Sequence, residues 1–188
     1  MNNRASQIIV LCEDKLHDVF VRRFLKKWGV ANRTVRVLDY PQGAGSGAAY
    51  VIANYPEQLK AVRSRSAGTA LIVVVDADNR TVKQRADDLK NSLKQASMPD
   101  VGNDEPVCCV IPKRSIDTWL KWLQGDPVDE EMSYKQQLGF RMKESEAHSL
   151  IDILAEKCRR REKLETPPDS LSKACGQFEK IRSVLSGA

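Results

Sequence analysis

Apolar positions along this chain fall into two patterns, and their alternation predicts the fold. Ile8-Ile9-Val10-Leu11-Cys12, Leu71-Ile72-Val73-Val74-Val75 and Val107-Cys108-Cys109-Val110-Ile111 are continuous runs, mostly β-branched. Such runs, bounded by turn residues, read as strands covered on both faces, as in a parallel sheet. They predict strands at Gln7–Cys12, Thr69–Val75 and Val107–Ile111. Arg33–Tyr40 instead alternates polar and apolar residues, the mark of a half-exposed strand.

Between these runs the period changes to that of a helix. Leu16, Phe20 and Phe24 share one face of a helix predicted over Lys15–Trp28, with Gly29 as its stop. Ala48, Val51, Ile52, Tyr55, Leu59 and Val62 recur at helical spacing, and Pro56 is expected to divide them into two short helices. Val82, Ala86, Leu89, Leu93 and Ala96 form a one-face stripe. Residues 41–47 read as a flexible loop able to close over nucleic acid, and residues 99–106 as a polar loop. The resulting β-α-β-α-β-α-β order predicts an α/β fold, a Rossmann-like four-stranded parallel sheet with flanking helices.

No strand is expected beyond Pro112. Ser115–Gln124 reads as a helix, and Gly125-Asp126-Pro127 as a break. Two amphipathic helices follow, one marked by Ala147, Leu150, Ile151, Leu154 and Cys158, the other by Leu171, Cys175, Phe178, Ile181 and Leu185. The expected organisation is an α/β domain at 1–124 with a helical C-terminal extension, 125–188, packed on it.

Composition adds bounds. The chain has 188 residues, 41% hydrophobic and 29% charged, as in globular proteins. No apolar run approaches the ~20 residues of a membrane span. The first strand follows the start too closely for a signal peptide, so a cytoplasmic protein is expected. The five cysteines include no C-x-x-C pair, and three lie in predicted strands. That usage suits buried thiols in a reducing compartment better than a disulfide frame or a zinc site. The net charge of +5 allows an anionic partner. Arg22, Arg23, Lys26 and Lys27 lie on the first helix, and Arg159, Arg160 and Arg161 near the end of the chain. Such runs are most often solvated helix faces, so they support nucleic-acid binding without establishing it.

Candidate chemistry sits where two strands run out. Glu13 ends the first, and Asp76-x-Asp78 closes the third. Ligands of open parallel sheets bind at these carboxyl ends. Carboxylates gathered there repel one another unless protons or a cation neutralise them, and a hard divalent ion such as Mg²⁺ is the natural occupant. Lys113 and Arg114, just past the last strand, either pair with a phosphate or sit on the surface at a helix start. Trp119 and Trp122 read as core anchors rather than base-stacking platforms. The Gly43–Gly47 segment lacks the Gly-Lys-Ser/Thr ending of a P-loop. His17 and His148 have no ligand-like companions and receive no role, and no Ser-His-Asp or Cys-His set is evident.

A glutamate ending strand one, an Asp-x-Asp ending strand three, and Ile111-Pro112-Lys113-Arg114-Ser115-Ile116-Asp117-Thr118-Trp119-Leu120 after strand four resemble the TOPRIM domain. The last segment is similar to that of small stand-alone TOPRIM-like proteins associated with bacterial phage defence. The resemblance implies a nuclease cutting DNA or RNA. Asp76 and Asp78 would hold Mg²⁺ or Mn²⁺, with Asp117 a further ligand. Glu13 would be general acid/base or ligand, Lys113 catalytic, and Arg80, Lys113, Arg114, Arg159, Arg160 and Arg161 would bind nucleic acid. It also implies a separate ATPase partner, and it leaves room for a homo-oligomer. The chain departs from the family pattern at Asp14 and His17, where a glycine and an aspartate are usual, and at Arg80, where many relatives carry a third acid. Asp14 either adds a ligand or caps the coming helix, the cap being the preferred reading. These departures keep open a non-catalytic nucleic-acid-binding or assembly subunit. A phosphatase with an Asp nucleophile is disfavoured, because its Asp-x-Asp stands on the first strand.

Overall fold

The computed structural model describes residues 6–40, 47–65, 68–134 and 144–186, and it joins the expected strands into one parallel sheet. The strands are β1 (Gln7–Cys12), β2 (Val35–Val37), β3 (Thr69–Val74) and β4 (Val107–Val110), in the spatial order β2-β1-β3-β4. Register runs from Gln7 opposite Thr69 to Cys12 opposite Val74, and from Leu71 opposite Val107 to Val74 opposite Val110. Helices α1 (Lys15–Lys27), α2 (Gly47–Arg63), α3 (Val82–Gln95) and α4 (Ile116–Leu123) follow the strands, and α5 (Glu144–Arg160), α6 (Asp169–Lys180) and α7 (Arg182–Ser186) complete the fold.

Helix α1 is capped at both ends and α3 at its start. Asp14 caps α1 by accepting the His17 backbone N–H at 3.0 Å, which realises the capping reading. At the other end Gly29 adopts φ 81°, the left-handed geometry that suits glycine, and Val30 N–H returns to Leu25 O. Thr81 and Gln84 form a capping box at the start of α3.

Three expectations on the elements need correction. Pro56 does not divide its segment: α2 is one helix, with Val51, Tyr55, Leu59 and Val62 buried on both sides of the proline. Burial of that face outweighs the single backbone bond that proline removes. The strand expected at Arg33–Tyr40 shortens to β2, because residues 32–34 form a 3₁₀ turn. The final helix breaks at Ile181 into α6 and α7. Residues 41–46 of the expected loop lie outside the described residues, and Gly47 already belongs to α2.

The sheet's two faces bury different cores. Ile8, Val10, Cys12, Ala70, Ile72 and Val74 meet α1, α4, α5 and α6 in an aromatic core containing Phe20, Phe24, Trp28, Trp119 and Phe178. There Phe24 and Phe178 stack with centroids 4.1 Å apart, and Trp119 Nε1 donates to the Ser170 hydroxyl at 2.8 Å. Truncating such a ring to alanine costs about 3–5 kcal/mol. The helical extension therefore supplies part of the core over this face. Ile9, Leu11, Leu71, Val73, Val75 and Ala77 face α2 and α3 in a core that is aliphatic except for Tyr55.

The cysteine expectation holds for three residues and fails for two. Cys12 and Cys108 are buried and free, and Cys109 is free and half-buried. Cys158 and Cys175 form a disulfide between α5 and α6, their Cα atoms 5.6 Å apart. The pairing reflects two helices packed side by side, which their spacing of 17 residues could not reveal.

Candidate functional site at the carboxyl rim of the sheet

The strand order marks the crevice between β1 and β3 as the point where chain connections leave in opposite directions. Open α/β sheets bind ligands at such switch points. Glu13 follows β1 and Asp76 follows β3 at this crevice. Main-chain pairing continues past the strands, with Val75 N–H to Val110 O at 3.1 Å and Ala77 N–H to Pro112 O at 2.8 Å. The Asp76 peptide is thus held as firmly as a strand residue.

Side-chain alternation then sends the two acids to different faces. Positions 9 and 11 face α2, so Glu13 continues toward α2; positions 72 and 74 face α1, so Asp76 continues toward α1. Glu13 Oε1 accepts the Asp76 backbone N–H at 2.5 Å. A Cβ on Gly47, the first residue of α2, would lie 2.7 Å from Glu13 Cβ and 2.8 Å from Oε2, so only glycine fits there. Burial, followed by the neighbouring Asp76 charge, pushes the Glu13 carboxyl up to about 7.

On the other face Asp76 Oδ1 lies 3.1 Å from His17 Nε2, and both side chains are only 1% exposed. Burial alone would depress the imidazole. The Asp76 carboxylate outweighs it and raises the His17 pKa to about 9. At neutral pH the pair is therefore an imidazolium–carboxylate ion pair. His17 Nδ1 is buried without a hydrogen-bond partner.

Asp78 lies within a turn closed by Arg80 N–H to Ala77 O, at φ 52°, with its side chain 51% exposed. Arg85 of α3 clamps this turn. Its Nε donates to Asp76 O at 2.8 Å, and its Nη2 lies 3.4 Å from Asp78 Oδ2. Each of the three expected acids thus already has a donor or cation of the protein. Asp117 accepts the Ser115 hydroxyl at 3.0 Å. Among the described residues no group of three His, Cys, Asp or Glu side chains is placed to hold a metal ion. The donor set consists of hard oxygen ligands, but this arrangement does not fit a metal cage. The expected shared cation has no built site here.

Basic residues border the same rim. Arg114 Nη1 donates to Asp78 O at 3.2 Å and also to Asn79 Oδ1. Lys113 donates to Arg80 O at 3.2 Å and to Glu131 at 2.9 Å, and Arg80 reaches Asp88 at 3.4 Å. Arg159, Arg160 and Arg161 lie elsewhere. Helix α1 runs from the rim to the opposite end of the sheet, where Trp28 Nε1 donates to Ala155 O at 2.9 Å and Arg182 sits over the Trp28 ring. The end of α5 is therefore at the far end of the sheet. There Arg159 and Arg160 pair with Glu156 at 2.7 and 2.8 Å, and Arg161 with Glu179 at 2.9 Å.

Sequence reasoning missed His17, Arg85 and Gly47. The first two carried a signal: Arg85 stands in register with Val82 and Leu89, and His17 with Val21, each a polar residue on a buried helical face. Gly47 carried none, since only the packed structure shows what a Cβ there would meet. No family model, curated protein or solved structure matches this chain.

Proposed function

We propose that this chain is a nucleic-acid-binding subunit built on a TOPRIM-like fold, whose acid rim is balanced by protein cations instead of a divalent ion. One observation carries the reading: the buried Asp76–His17 pair at 3.1 Å, with Arg85 on the neighbouring Asp78. These contacts give the acids the counter-charge that a metal would otherwise supply. Arg114, only partly buried beside Asp78, then supplies a cationic group at this rim, where a phosphate backbone would approach.

A second reading is a Mg²⁺- or Mn²⁺-dependent nuclease, the effector of an anti-phage system working with an ATPase partner. The observation favouring it is Glu13, a carboxyl titrating near 7 beside Asp76, as a general acid or base requires. One experiment separates the two. Labelled single- and double-stranded DNA and RNA are titrated with protein in EDTA and in Mn²⁺, with fluorescence anisotropy and gel analysis. The binding reading expects affinity that survives EDTA, falls in Arg114→Ala, and brings no cleavage. Metal-dependent cutting abolished in Asp76→Ala and Glu13→Ala establishes the nuclease instead.

A further inference from the structure

At the end of the sheet away from the acid rim, a cavity of about 240 Å³ opens beside β4, the edge strand. Its walls are mixed: Leu89 and Leu93 of α3, Val107 of β4 and the ring of Tyr55 supply an apolar part, and Asn103 and Gln177 a polar one. Cys109 also lines it. The mouth is cationic. Lys90 and Lys180 stand on it from α3 and α6, both exposed, and neither is ion-paired among the described residues. Of the acids there, Glu105 is engaged by Arg63, whose Nη2 lies 2.9 Å away. Asp100 is left against two lysines.

We propose that this cavity binds a small carboxylate with a single-ring apolar body, the ring among Leu89, Leu93 and Val107 and the carboxylate at Lys90 and Lys180. Size sets the class. A dry cavity of ~150 Å³ accepts benzene, and drug-sized ligands need about 300–1,000 Å³. The space here lies between them and suits one ring with a short acidic arm. Charge sets the sign, because two free ammonium groups outweigh the one free carboxylate for an anion at the mouth. The cavity lies apart from the acid rim and needs no nucleic acid.

The test uses the full chain and ¹⁹F NMR line broadening of 4-fluorophenylacetate, with 4-fluorophenethylamine as the charge-reversed probe. The wild type should broaden the carboxylate more than the amine. Ala86→Phe, which fills the cavity from α3, should abolish the broadening while circular dichroism shows the fold retained. The exposed double substitution Lys90→Glu/Lys180→Glu keeps the test decisive if Ala86→Phe fails to fold. It should weaken the carboxylate about tenfold and reverse the preference. No broadening by the wild type, a preference for the amine, or a carboxylate signal unchanged in the double variant would overturn the proposal.

Discussion

The rim and the far end of the sheet both gather charge, yet the two groups obey different physics. Glu13 is half-buried and Asp76 and His17 are buried where β1 and β3 run out; burial and the Asp76 charge raise the Glu13 carboxyl to about 7, and Asp76 raises His17 to about 9 against the opposing effect of burial. Arg159, Arg160 and Arg161 sit at the end of α5 with side chains 44%, 61% and 73% exposed, paired with nearby glutamates. An exposed ion pair is worth about 0–1 kcal/mol, whereas breaking a buried one from one side costs about 3–5 kcal/mol. The longest basic run in the sequence is thus energetically quiet, while a lone histidine sits at the centre of the strongest coupling. Burial, more than charge density, decides which charges matter.

The sharpest way to break that contrast is His17→Ala. It leaves the Asp76 carboxylate buried without its cation, and breaking a buried pair from one side costs about 3–5 kcal/mol. Urea denaturation at pH 7 should show a loss in that range. A loss below about 1 kcal/mol would mean that Asp76 is solvated in solution and the rim is not a closed ion pair.

Acidity gives the next largest effect. Glu13 titrates near 7 in the folded chain against an ordinary 4.5, so the folded state holds its proton more tightly. The stability this contributes is fully present below pH 4.5 and is lost as pH rises through 7. His17, raised from 6.5 to about 9, also favours the folded state when protonated, and its contribution fades as pH rises through 9. The wild type should therefore lose stability in two steps. Glu13→Gln removes the first: equal to wild type at pH 4, it should be more stable by about 2 kcal/mol at pH 8. Parallel urea midpoints for both proteins across that range would refute the coupling.

Gly47→Ala probes the same rim by volume alone. The new methyl group would lie inside contact distance of Glu13 Cβ and Oε2, so either α2 or the carboxylate must move. Overpacking of this kind costs about 1–3 kcal/mol. It should also bring the Glu13 pKa back toward 4.5 as the side chain is driven into water, a change readable by carboxyl NMR titration.

How much of this was legible depends on which physics governs each residue. The strands were, because unbroken apolar runs have few alternatives in a parallel sheet, and Asp14 as a cap was, because capping is local. The convergence of Glu13 and Asp76 was legible only as far as the rim. Their divergence to opposite faces needs the register of β1 against β3, and once Cys12 is known to face Val74, alternation alone supplies it. Pro56 misled because a local breaker was weighed without the burial of Tyr55 and Leu59 beside it. The Cys158–Cys175 bond depends on how α5 and α6 pack, a tertiary fact with no trace in the spacing.

The smallest effect completes the contrast. Replacing Arg159, Arg160 and Arg161 together with alanine removes four exposed ion pairs, each worth at most about 1 kcal/mol and most of them less. One of the three sites partly offsets the loss in a further variant: Arg161 holds φ 56°, a left-handed position that favours glycine, so Arg161→Gly should match or exceed wild-type stability by up to about 1 kcal/mol. The triple alanine variant should change the urea midpoint little. If the rim is the nucleic-acid contact, it should also leave oligonucleotide affinity within about twofold while Arg114→Ala weakens it, since losing a phosphate contact lowers both affinity and salt dependence. An opposite ranking, with the triple variant losing the binding and Arg114→Ala keeping it, would move the interface to the far end of the sheet and leave the buried acids a purely structural role.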